Sequence, residues 1–63
     1  MATVSVTTTD DLVDGNITSI AALIATPGGA GISLREAILA ANNTAGADTI
    51  DLTGVTGTIL LTN

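Results

Sequence analysis

The side chains of this 63-residue chain that could do chemistry are six carboxylates (Asp10, Asp11, Asp14, Glu36, Asp48 and Asp51), one guanidinium (Arg35) and a handful of hydroxyls; Cys, His and every aromatic residue are absent. Calcium is the first chemistry such a set suggests, because hard cations take oxygen ligands. With Gly15 placed at the invariant glycine of an EF-hand loop, Asp10 and Asp14 fall on ligand positions, but Leu12 and Ala21 stand where two further carboxyl ligands belong. The stretch Gly28 to Leu34 shadows a nonapeptide calcium repeat only once, with Ser33 where Asp is wanted. A looser site from Asp10, Asp11 and Asp14 is weighed against an ordinary solvated turn, and the turn is preferred.

Other reactive constellations are incomplete. Gly28-Gly29-Ala30-Gly31 precedes a helix start, as phosphate cradles do, yet no Lys follows and Glu36 would repel the ligand. Ser33 has no His or Lys to activate it. Asp48 and Asp51 lie three apart in a strand-like stretch and so face opposite ways, which defeats paired-carboxylate hydrolysis. The expectation is a non-enzyme, with no catalytic, cofactor-binding or metal residues. Arg35, as the lone cation among six acids, should find a carboxylate, with Asp48 or Asp51 as the candidates, or grip a partner chain.

A net charge of −5 excludes binding that depends on replacing phosphate counterions, so nucleic acid and anionic membrane surfaces are not expected partners. The mean hydropathy of +0.64 is positive. Even so, the apolar runs Ile20 to Ala25 and Ala37 to Ala41 fall far short of the ~20 residues of a membrane span. Met1 leads straight into a polar strand-like segment without a leader pattern, which leaves the compartment open.

Positioning elements follow from periodicity. Residues 2–8 alternate, with Ala2, Val4, Val6 and Thr8 on one face, and predict a half-buried strand. Ser19 caps a short helix carrying Ile20, Leu23 and Ile24, which Pro27 and the glycines end. Ser33-Leu34-Arg35-Glu36 is a capping box, in which the Ser33 hydroxyl accepts from the N3 amide and Glu36 reaches back to the cap amide. It opens a helix over 33–42 whose apolar stripe is Leu34, Ala37, Ile38 and Ala41, with Arg35, Glu36 and Asn42 off it. Alternation returns over 48–53, with Ile50 and Leu52 on one face, and over 58–62, with Ile59 and Leu61 on one face. The last segment is an apolar strand edge that needs a partner.

The order Val6-Thr7-Thr8-Thr9-Asp10-Asp11, then Ser33-Leu34-Arg35-Glu36-Ala37-Ile38 with Ala41-Asn42, then Gly46-Ala47-Asp48-Thr49-Ile50 and Gly57 to Thr62 resembles the N-terminal capping region of bacterial right-handed parallel β-helix proteins of the adhesin and polymorphic outer-membrane type. The resemblance implies a mainly β chain with one or two short helices: a strand, a short helix, a capping helix 33–42 and a first solenoid coil, all one domain over 1–63. It also implies a secreted or cell-surface parent protein. Leu34, Ala37, Ile38 and Ala41 would cover the solenoid end, and Ile50, Leu52, Ile59 and Leu61 would begin its interior. Solenoid ends need such a terminal unit for solubility. No repeated coils follow Asn63, so the expected partner is a second copy of the chain, in a closed ring such as a trimer rather than a filament, or else the following β-helix coils of a parent protein. The runner-up function is a ligand-binding fragment of a surface adhesin. The sequons at Asn16 to Thr18 and Asn42 to Thr44 read as chance against this bacterial resemblance.

Overall fold

The computed structural model describes residues 2–57 and 59. Four elements follow in the order β1 (Thr3–Ser5), α1 (Ile20–Ala25), α2 (Leu34–Asn42) and β2 (Thr49–Asp51). The two strands pair in parallel, with Thr3 beside Thr49, Val4 beside Ile50 and Ser5 beside Asp51. Parallel strands require a long crossover, and both helices lie within it.

One face of the strand pair carries the core. Val4 and Val6 are fully buried there, whereas Thr3, Ser5 and Thr7 on the alternate face are exposed, as period-two patterning predicts. Ile20 and Leu23 of α1, Ile32, and Ala37 and Ala40 of α2 complete the core, with Ala2, Ile17, Leu34, Ala41, Ile50 and Val55 packed around it.

Both helices start where their caps direct. The Ser19 hydroxyl accepts from the Ala22 amide at 3.0 Å, and the capping box at Ser33 and Glu36 closes with both reciprocal bonds. The first amide of α1, Ile20, donates to Thr44 Oγ1, whose hydroxyl in turn donates to the Ala40 carbonyl, both at 2.8 Å. That hydroxyl ties the start of α1 to the last turn of α2.

The expected mainly β architecture with a first solenoid coil is overturned. The helices are six and nine residues long, each strand is three, and the described residues contain one two-stranded sheet with no coil built on it. The predicted strands stop early for local reasons. After Val6 donates to the Asp51 carbonyl, Thr7 and Thr8 turn their amides to the Ile32 carbonyl. At the other strand, the Asp51 carboxylate captures the Thr53 amide and hydroxyl at 2.9 and 2.7 Å, an Asx turn that ends β2.

Of the predicted covering face of α2, Ala37 lies in the core and Leu34 and Ala41 pack against it, whereas Ile38 does not. Glu36, Ala37 and Ala40 are buried, Leu34 and Ala41 lie half-buried at the margin, and Ile38 is 42 % exposed. The buried stripe is turned from the predicted one by roughly 100°, one residue step. Leu52 is 45 % exposed, Ile50 and Ile59 are half-buried, and Leu61 lies outside the described residues, as does most of the predicted strand 58–62.

Candidate functional site

The densest polar chemistry surrounds the N-terminus of α2, where Ser33, Arg35 and Glu36 hold a loop from elsewhere in the chain. The Ser33 hydroxyl donates to the Leu12 carbonyl at 2.8 Å while accepting from the Glu36 amide at 3.2 Å. Arg35 grips Asp11 through two bonds, Nε to Oδ1 at 2.8 Å and Nη2 to Oδ2 at 3.3 Å. The Asp11 side chain retains only 3 % exposure. This pairing replaces the expected one with Asp48 or Asp51, because the loop after β1 passes directly beside the first turn of α2. A fork-shaped guanidinium on a carboxylate fixes orientation as well as distance.

Glu36 is the centre of the arrangement. It is fully buried, and its two oxygens accept three backbone amides: Oε1 takes Ser33 at 3.0 Å, and Oε2 takes Gly15 at 2.7 Å and Asp14 at 3.2 Å. A buried carboxylate requires such partners. On its other side the loop at Gly15 packs tightly against the end of α1. A Cβ there would stand 2.7 Å from the carbonyl oxygens of Thr26 and Pro27 and 2.8 Å from Leu23 Cδ1, so only glycine fits.

Chemically, this is a clamp rather than a reactive centre. Each polar group is engaged by its neighbours, and no buried side-chain nitrogen or oxygen among the described residues lacks a partner. The three acids of the candidate calcium turn are not brought together. Asp11 belongs to Arg35, Asp14 Oδ2 accepts from the Ala30 amide at 3.5 Å, and the Asp10 amide bonds back to Thr8 Oγ1. No group of three potential metal ligands occurs among the described residues. Within the Gly28 to Gly31 stretch the Gly31 amide donates to the Gly28 carbonyl at 3.4 Å and the Ala30 amide to Asp14 Oδ2 at 3.5 Å.

A second region is defined by what it leaves open. In a parallel ladder alternate residues face the partner strand. The Thr49 amide donates to the Ala2 carbonyl at 2.8 Å and the Asp51 carbonyl accepts from Val6 at 2.9 Å, so Ile50 turns its amide and carbonyl to the outer edge of β2. Among the described residues nothing bonds to that edge. Two polar anchors hold the strand at its ends: Asp48 Oδ1 accepts the Ala2 amide at 3.2 Å, and Asp51 holds Thr53. Bonds from the Thr53 amide and then its hydroxyl lower the Asp51 pKa below its usual 3.8.

No described helix is long and apolar enough to cross a membrane. Comparison with known proteins finds no matching family model, curated protein or solved structure.

Proposed function

We propose that the chain is a structural module: a helix-covered end-piece that offers the outer edge of β2 to another parallel strand, either one of a stacked β structure or β2 of a second copy. The observation that carries this reading is the two-stranded parallel sheet itself. Parallel sheets occur almost only as larger buried assemblies, and isolated two-stranded pairs are marginal in water. Here each strand has three residues, and Ile50 presents backbone groups that no described residue pairs, near the 45 % exposed side chain of Leu52. An added strand would pair those groups and cover Leu52. The resemblance of the Ser33 to Ile38 and Gly46 to Ile50 segments to capping regions of bacterial surface proteins supports the same role.

The test is assembly state with and without the edge donor. Light scattering on the folded chain is expected to give a discrete multiple of 6.1 kDa. A chemically synthesised chain carrying an N-methyl group on Ile50 keeps every side chain and the bonds to β1, and should dissociate while retaining its helical circular dichroism. A well-folded monomer at millimolar concentration, or an assembly indifferent to N-methylation, would overturn the proposal.

A further inference from the structure

We propose that Asn16 is an acceptor for asparagine-linked glycosylation in the folded chain, and that the second sequon, at Asn42, is not. Both segments read Asn-x-Thr, Asn16-Ile17-Thr18 and Asn42-Asn43-Thr44, so sequence alone does not separate them. The structure does. Asn16 is exposed in the loop between the Glu36 clamp and α1. Its Oδ1 accepts two bonds from Thr18, one from the hydroxyl at 2.8 Å and one from the backbone amide at 3.1 Å. Its own backbone amide is fixed to the Thr26 carbonyl at 2.9 Å. Among the described residues, its Nδ2 donates to nothing.

That arrangement suits the chemistry. A carboxamide nitrogen is a poor nucleophile because its lone pair is delocalised onto oxygen, and it gains strength as it gives up a proton and the resulting charge settles on Oδ1. Two donors already directed at Oδ1 stabilise that charge where it develops. The co-substrate class is a glycosyl diphosphate. Nδ2 forms a bond to the anomeric carbon, the bond from that carbon to the phosphate oxygen breaks with its electron pair leaving on the diphosphate, and one Nδ2 proton passes to a base of the transferase. The exposed Asp14 carboxylate two residues earlier adds a fixed negative charge that a basic transferase surface could grip. The loop holding it is fastened through the Asp14 and Gly15 amides on Glu36.

Asn42 is exposed too, but its side chain is not held by the Thr two residues on. It is the last residue of α2, and the Thr44 hydroxyl that would have to serve it already donates to the Ala40 carbonyl and accepts the Ile20 amide. Freeing that hydroxyl would unfasten the two helices from each other.

The experiment treats the purified folded chain in two arms, one with a soluble asparagine glycosyltransferase and a nucleotide-diphosphate sugar, the other with an oligosaccharyltransferase and a lipid-diphosphate sugar, and maps sites by mass spectrometry. A synthetic peptide spanning 12–20 certifies each arm as active. Sugar is expected on Asn16 and not on Asn42, and the arm that reacts identifies the donor class. Thr18→Val should lower Asn16 occupancy by about tenfold or more, whereas Thr18→Ser should retain it. An unmodified Asn16 in arms where the peptide reacts, or equal occupancy at Asn42, would overturn the assignment.

Discussion

The loop clamped on α2 and the edge of β2 are built on opposite plans. Around residues 11–15 the chain buries polar groups and satisfies each one, with Asp11 on Arg35, the Leu12 carbonyl on Ser33, and the Asp14 and Gly15 amides on Glu36. At β2 the side facing β1 is bonded, while the far side presents its backbone to no described residue. A satisfied polar clamp fixes one geometry, because any slip leaves buried donors unpaired at ~1–3 kcal/mol each. An open strand edge specifies only that something must be added. The first region therefore stabilises the unit, and the second is the edge on which the proposed assembly rests.

If that contrast holds, the largest loss should come from the clamp's centre. Glu36→Gln keeps the shape but replaces one carboxylate oxygen by an amide group that donates, so at least one of the Ser33, Asp14 and Gly15 amides then faces another donor. A destabilisation of about 3–5 kcal/mol is expected, enough to unfold much of so small a domain at room temperature. Urea titration followed by circular dichroism reads it. A variant with the wild-type midpoint would show that the clamp is decoration.

Arg35→Ala comes next. It leaves the Asp11 carboxylate, now 3 % exposed, without its fork, while the guanidinium, 29 % exposed, gives up a half-solvated position. About 1–2 kcal/mol should be lost, and the double variant with Asp11→Ala should recover part of it. Full additivity of the two changes would separate this ion pair from the clamp.

How far the clamp was legible in the sequence divides along sequence distance. The capping box was readable because its donor and acceptor lie three residues apart and the pattern is local. So were both helices and the alternating faces of β1. The second oxygen of Glu36 was not, since its partners at 14 and 15 lie more than twenty residues away and no periodicity links them. A signal was present in Gly15 beside Asp14, a tight turn where backbone can approach closely. The buried carboxylate also explains the mistaken helix face. Drawing Glu36 inward turns the 36, 37 and 40 row to the core and rolls Ile38 outward, so a stripe counted from apolar residues alone was displaced by one step. Arg35 was paired wrongly because its true partner, Asp11, lies 24 residues away in sequence. The parallel register Val4 to Ile50 depends on the whole crossover, which no short window contains.

The rolled helix gives a smaller test. Ile38→Ala removes a side chain already 42 % exposed and should change the denaturation midpoint by only about 0.5 kcal/mol or less. Ala40→Leu, at a fully buried position, should cost about 1–3 kcal/mol by overpacking. The reverse ranking would restore the predicted face.

The smallest effect belongs to the open region and appears as a pH dependence. Asp51 ends β2 by accepting the Thr53 amide and hydroxyl, and those bonds hold its folded pKa below the 3.8 it would have without them. A carboxylate whose pKa is lowered by folding adds stability that is fully present above its unfolded value and is lost as pH falls through the folded one. The Asp51 contribution should thus be constant at neutral pH and decline only below 3.8. Asp51→Asn retains an oxygen that can accept from Thr53 but cannot titrate. The difference in melting temperature between wild type and Asp51→Asn should therefore be flat above about pH 5 and narrow in acid. A difference that stays constant into acid would mean that the Asx turn does not hold the strand end. If it narrows, the sheet's outer region has an anchor of its own, placed at its end and leaving the Ile50 edge open for another strand.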